Sequence, residues 1–306
     1  MTTVDANARV VAADSVPSSV VWRAFLEGFR DYVVPVEIGE TPFANLLAAE
    51  HIDLAASCVA LDPFGDPVGI CLLAIRDRDG WCGGLGVTPG GRRRGLGRRL
   101  MAHTIEVAHA RGLDRIRLEC IDGNGAALDL YLGMGFSVLR RLDLFDGVVA
   151  IGSRVAASFP VHDVLAPSAL WDRFAEYHAI RRPWQHDLTT MRFTVPVDSL
   201  LGIGHGKDPT RPETYLLFRS PDASSGKVAI VDAGVLDGHR AAVAVLETLV
   251  LECAKRHPGH RFRAPNVPDD DPLNLALRSL GVPASMSQSE MELDLASPPH
   301  GETWSS

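Results

Sequence analysis

Apolar residues recur along this chain with two periods. Trp22, Phe25, Leu26 and Phe29 fall three to four residues apart, which predicts a helix with one apolar face. Pro17 stands just ahead of it, where a helix start tolerates proline. Tyr32-Val-Val-Pro-Val36 breaks that spacing, and Thr41-Pro42 opens a second helix through Leu47 and Ala48. A short strand over 9–13 precedes both. Ser57–Asp62 and Pro67–Ile75 are short, almost wholly apolar runs, and the turn Pro63-Phe-Gly-Asp66 joins them as a hairpin. A further strand runs through Gly80 to Val87, and a long helix follows from near Gly95 to a capping glycine at Gly112. Arg115–Ile121 then reads as a strand, Asn124 starts a short helix, Gly135-Phe136 stops it, and Ser137–Phe145 returns as a strand. The order β, α, α, β, β, β, α, β, α, β predicts a mixed sheet with helices on its faces, an α/β (α+β) architecture.

The second half repeats this outline. Trp22-x-x-Phe25 is echoed by Trp171-x-x-Phe174, the strand end at Val87 by Val235, and the helix stop at Gly135 by Gly281. The offsets are 149, 148 and 146 residues, the near-constant spacing of a tandem duplication. The expected division is a first domain over 8–147, a second over 160–295 and a disordered tail over 296–306.

Composition changes this picture little. The chain has 306 residues, 46% hydrophobic and 22% charged, which suits two globular cores and excludes disorder. The formal net charge of −8 argues against nucleic-acid binding, so the arginines at 92–94 and 98–99 read as a local anion site. Cys58, Cys71, Cys82, Cys120 and Cys253 include no C-x-x-C pair and are odd in number, so neither a disulfide framework nor a metal site is expected. No apolar run reaches the ~18–20 residues of a membrane span, and the N-terminus lacks a signal-peptide pattern. A cytoplasmic, membrane-free protein is expected.

The chemistry concentrates between Val87 and Leu100. Strand, glycine- and arginine-rich turn and helix start follow in that order, which directs main-chain N–H groups and the positive helix end at one spot suited to phosphate. A Walker A loop would need Gly-Lys-Ser/Thr, and no lysine occurs here; a dinucleotide fingerprint would need glycine where Leu100 stands. Val87-x-Pro89-x-x-Arg92-Arg-Arg-Gly95-Leu-Gly97 resembles motif A of the Gcn5-related N-acetyltransferases, and Asn124-x-x-Ala127-x-x-Leu130-Tyr131-x-x-x-Gly135-Phe136 resembles their motif B. The likeness covers roughly residues 8 to 146.

That resemblance implies an acyl-CoA N-acyltransferase fold, here in two copies. It implies transfer of an acetyl group from acetyl-CoA to a primary amine by direct attack, with the amine on a small molecule or a protein. No metal is expected to take part, and a monomer or homodimer is expected. The turn residues Arg92, Arg93, Arg94, Gly95, Leu96, Gly97 and Arg98 would hold the pyrophosphate. Leu85, Gly86 and Val87 would lie along the pantetheine arm, with Asn124 close by. Tyr131 would protonate the departing thiolate. For the base, Glu119 and Asp122 compete with a water relay, because Trp81–Gly86 carries no carboxylate. Phe29, Tyr32 and Val33 are placed for the acceptor, with Glu27 and Asp31 nearby. The arginine-rich turn has no counterpart after Val235, and Leu277 stands at the position of Tyr131, so the second copy is expected to bind no coenzyme A. The alternative to an enzyme is a non-catalytic acetyl-CoA sensor.

Overall fold

A computed structural model describes residues 8–150, 159–221, 226–236 and 241–296. The residues just after Leu236, part of the connection after Gly147 and nearly all of the C-terminal tail lie outside the described residues. The chain divides into two compact units, 1–139 with 290–306, and 140–289. The cut falls between 139 and 140 because residues 142–148 pair with Arg261–Pro268 of the second unit, while 290–294 return to the first.

In the first unit the order is β1 (Arg9–Ala12), α1 (Ser18–Gly28), α2 (Glu40–Ala49), β2 (Cys58–Leu61), β3 (Pro67–Arg76), β4 (Asp79–Val87), α3 (Leu96–Ala110), β5 (Arg115–Ile121) and α4 (Gly125–Leu132). Strands β1 to β4 pair antiparallel in sequence order, and β4 pairs parallel with β5. Residues 290–294, the end of the last strand, lie beside β5. There the Arg117 Nε donates to Glu292 at 2.7 Å, and the Leu295 N–H donates to the Asp114 carbonyl at 2.8 Å.

The apolar runs at 58–61 and 67–75 need both faces covered, and strand alternation supplies this. Val59, Leu61, Ile70 and Leu72 pack under α1 and α2 with Phe25 and Phe43. Cys58, Ala60, Cys71 and Leu73 pack on the other face with Leu100, Met101 and Ile105 of α3. All five cysteines are buried and free; the Cys71 and Cys82 sulfurs lie 3.7 Å apart. At one point helix and strand touch main chain to main chain. A Cβ on Gly86 would stand 2.9 Å from the Gly28 carbonyl carbon, and one on Gly28 would stand 3.0 Å from that of Gly86. Glycine at both positions brings the end of α1 down onto the end of β4.

The second unit begins within β6 (Ser137–Val148) and continues with β7 (His162–Asp163), α5 (Phe174–Tyr177), α6 (Leu188–Thr194), β8 (Leu201–His205), β9 (Thr214–Arg219), β10 (Lys227–Val235), α7 (Ala242–Arg256), β11 (Arg261–Pro268), α8 (Pro272–Ser279) and β12 (Ala284–Asp294). Strands β7 to β10 pair antiparallel, β10 pairs parallel with β11, and β11 pairs antiparallel with β6. Two details match the first unit. The β4–β5 ladder holds three pairs, Asp79↔Arg115 to Trp81↔Arg117, and the β10–β11 ladder also holds three, Lys227↔Arg261 to Ala229↔Arg263. Each central strand carries one extra residue against its antiparallel neighbour, Gly83 in β4 and Val231 in β10. The repeat differs at the Trp171 echo, where a 3₁₀ segment over Pro167–Arg173 and the four-residue α5 replace a long helix. No helix among the described residues is long and apolar enough to cross a membrane.

A fully buried carboxylate ties the second unit together. Asp143 on β6 accepts from Asn274 Nδ2 at 2.9 Å and Ser287 Oγ at 2.7 Å, and also from Arg278 and Arg141. Burial raises its pKa, but the hydrogen bonds from Asn274, Ser287 and Arg278 outweigh this and lower it to about 2. A depressed carboxyl stabilises the fold above its unfolded pKa and loses that contribution as pH falls through the folded value. The expected contribution is roughly 2 kcal/mol, lost between about pH 4 and pH 2. Urea midpoints compared across that range should fall more steeply for the native chain than for Asp143→Asn. Equal slopes would contradict this role.

Candidate active site

The site begins where the parallel ladder ends. Beyond Trp81 and Arg117, β4 and β5 are no longer paired, so the main chain from Cys82 to Val87 faces an open wedge. Leu85, Gly86 and Val87 form its β4 wall. A 3₁₀ turn at Pro89–Gly91 leads to Gly95, whose φ of 85° is left-handed and favours glycine. A Cβ there would meet nothing within 4 Å, so the position demands glycine for its backbone angle and leaves open space in front. Helix α3 then starts without a side-chain cap, and its first internal hydrogen bond is Arg99 N–H to the Gly95 carbonyl. The N–H groups of Leu96, Gly97 and Arg98 precede that bond and have no partner within the helix.

These elements enclose a cavity of about 630 Å³. Of the residues expected from the sequence, Phe29, Tyr32, Val33, Leu85, Gly86, Val87, Arg92, Arg93, Gly95, Gly97, Arg98, Asn124 and Tyr131 line it together. Arg94, Leu96 and Glu119 do not. Leu96 is buried in the core at 1% exposure. Glu119, two residues past the last paired position of β5, accepts a hydrogen bond from the Trp81 indole N–H at 2.8 Å. Asp122 is likewise outside the lining, and Asp31 is the carboxylate among the described lining residues.

The arginines have mixed employment. The Arg92 side chain donates from Nε to the Val87 carbonyl at 2.9 Å and from its terminal nitrogen to the carbonyls of Gly28 and Arg30. It therefore fastens the end of α1 to the end of β4. Arg98 donates to the Gly133 carbonyl at 3.2 Å, closing the end of α4, and Arg99 reaches the Ala8 carbonyl at 2.7 Å. Arg93 lines the cavity with a φ of 61°, unusual for a residue with a side chain.

Tyr131 and Asn124 come from α4. The Asn124 side chain caps the helix, accepting from the Ala127 N–H at 3.3 Å, and it lines the cavity together with Tyr32. Capping and cavity lining coincide in one residue. Tyr131 is 7% exposed, packs against Phe136 with ring centres 5.7 Å apart, and has no hydrogen bond to its hydroxyl among the described residues. Burial first, then the nearby Cys82, Cys71 and Cys120 thiols, pushes its phenol well above the ordinary value. At neutral pH it can donate a proton but not accept one.

The second unit places other groups in the corresponding wedge. The bond from Val282 N–H to the Leu277 carbonyl repeats that from Phe136 N–H to Tyr131, so Leu277, wholly buried, stands where the phenol stands. Arg182 pairs with Asp232 on β10 at 3.7 Å and with Asp271, the N-cap of α8. Asp232 also accepts from the Tyr215 hydroxyl at 2.8 Å and contacts His178 Nε2 at 3.3 Å. A buried ionic bridge thus spans the two arms of the second wedge.

Residues 22–136 match the model of the acetyltransferase (GNAT) family. The same region is 30% identical over 115 residues to the thialysine N-epsilon-acetyltransferase of Bos taurus, a stretch covering 34% of this chain and 62% of that protein. The fold extends further. A GCN5-related N-acetyltransferase from Sphaerobacter thermophilus shares it with a TM-score of 0.62 at 15% identity, over 94% of this chain and 95% of that one. A tandem GNAT protein from the clavulanic acid biosynthesis pathway gives 0.59 at 18% identity, over 96% and 100%. The architecture is the GNAT fold in two tandem copies.

The strained angle at Arg93 is directly testable. Arg93→Gly should raise stability by up to about 1 kcal/mol in urea unfolding, the left-handed penalty less the extra freedom of the unfolded chain. A loss of 1 kcal/mol or more would mean the side chain holds the turn.

Proposed function

We propose that the first unit is an acetyl-CoA-dependent N-acetyltransferase acting on a primary amine. One observation carries the reading: the end of β4, the uncapped start of α3, Asn124 and the buried phenol of Tyr131 meet in one cavity. The residues suit the cosubstrate. The N–H groups at Gly95–Arg98 and the positive end of α3 would hold the pyrophosphate. The unpaired edge of β4 at Leu85–Val87 would bond the pantetheine amides and polarise the thioester carbonyl.

The acceptor approaches past Phe29, Tyr32 and Val33. Beside them a depression of about 610 Å³ carries Glu27, Asp31 and Glu37, which favours a cationic molecule. Glu27 is paired with Arg30, so Asp31 and Glu37 supply most of that charge. The neutral amine attacks the thioester carbon, and the C–S bond breaks. Tyr131 gives its proton to the departing sulfur, which burial of the phenol favours by keeping it protonated. With Glu119 held by Trp81 away from the cavity, the amine loses its proton to water or to Asp31. Holding amine and thioester together provides much of the acceleration. In the second unit the Arg182 bridge and Leu277 occupy the corresponding wedge, which supports a copy without cosubstrate.

Release of free thiol from acetyl-CoA against a panel of amines tests this. Tyr131→Phe should lower kcat about a hundredfold with little change in cosubstrate affinity. Gly95→Glu, which puts a side chain and a negative charge before the α3 N–H groups, should abolish acetyl-CoA binding while the protein stays folded. Tight binding with no turnover on any amine, and no effect of Tyr131→Phe, would make the protein a non-catalytic acetyl-CoA sensor. Retained binding in Gly95→Glu would remove the cosubstrate from this turn.

A further inference from the structure

The second unit holds a cavity of about 710 Å³ apart from the bridged wedge. It lies on the sheet face away from α7, over the paired start of β10 and β11. The register sets three residues side by side. Ala229 is the cross-strand partner of Arg219 on β9 and of Arg263 on β11. Directly opposed residues project from one face, and all three line the cavity. Their neighbours Phe218, Val228 and Phe262 go to the other face, into the core under α7. Two arginines therefore flank a single methyl group, on strands roughly 9–10 Å apart.

Among the described residues, neither arginine is paired with a carboxylate. Asp146 on β6 is the other cross-strand partner of Arg263, but it is engaged by Lys227 at 2.6 Å and Arg261 at 2.9 Å. Among the described residues, Arg219 and Arg263 take part in no ion pair, and Arg219 Nε is buried without a hydrogen-bond partner. Asp198 is the carboxylate among the described lining residues. His186 also lines the cavity; burial, then the charge of Arg182, lowers its pKa to about 4, so it is neutral at physiological pH. Met191, Val195 and Val231 add an apolar side.

We propose that this cavity binds a small organic phosphate monoester, its dianionic head between Arg219 and Arg263 across Ala229 and its apolar part against Met191, Val195 and Val231. Guanidinium groups suit such a head because each offers a planar pair of donors to its oxygens. Ala229 leaves the gap in which the head sits. The site lies within the second unit and is independent of acetyl transfer in the first.

Phenyl phosphate is the probe, titrated by calorimetry into the full chain, with benzoate and phenol as the monoanionic and neutral comparisons. Phenyl phosphate should bind at least tenfold more tightly than benzoate, and phenol should not bind measurably. Arg219→Gln and Arg263→Gln should each weaken it at least tenfold, and neither removes an internal ion pair, so both should fold with an unchanged Tm. Ala229→Leu keeps both charges but fills the gap, and should weaken binding to the same extent. Gly95→Glu, in the first unit, should leave it unaltered. Absence of phenyl phosphate binding would overturn the proposal. So would binding that survives Arg219→Gln with Arg263→Gln but disappears in Gly95→Glu, which would place the anion at the start of α3.

Discussion

Main-chain N–H and C=O groups that leave a sheet ladder must be satisfied elsewhere, and this protein meets that constraint twice. After three paired residues, β4 parts from β5 and β10 parts from β11. Each parting leaves a wedge with a polar edge on a buried strand. In the first unit the wedge opens into a cavity whose far end is an uncapped helix start. In the second, Arg182 with Asp232 and Asp271 spans the arms. One geometry thus yields an open site in one copy and a closed one in the other.

What surrounds the open wedge keeps it in shape. The Gly28–Gly86 contact sets α1 against β4 at main-chain distance, and Arg92 fastens the same two ends through three carbonyls. Arg98 closes α4, and α4 in turn presents Asn124 and Tyr131. Residues that read in sequence as phosphate ligands therefore divide. Some provide main-chain donors, and others use their charge to lock the frame around those donors.

Much of this was legible in the order of residues. The apolar periods placed the helices and strands of the first unit, and the glycines at 95, 112 and 135 marked helix ends because each has a left-handed angle. The motif spacing located most of the cavity lining. Four things were not legible. The hydrogen bond from Trp81 to Glu119 depends on strand pairing that local pattern does not reveal. The guanidinium of Arg92 turns back onto α1, a contact across 62 to 64 positions. The last strand, Ala284–Asp294, divides its length between the two units, and no periodicity signals which sheet a strand will join. The ionic bridge in the second unit was hidden for the same reason, since Arg182, Asp232 and Asp271 meet only in the folded chain.

One open wedge and one bridged wedge make a claim about number. Isothermal titration of the intact chain with acetyl-CoA measures it directly. A single binding event with one molecule per chain is expected; two equivalent molecules per chain, or none, would contradict one open and one bridged wedge.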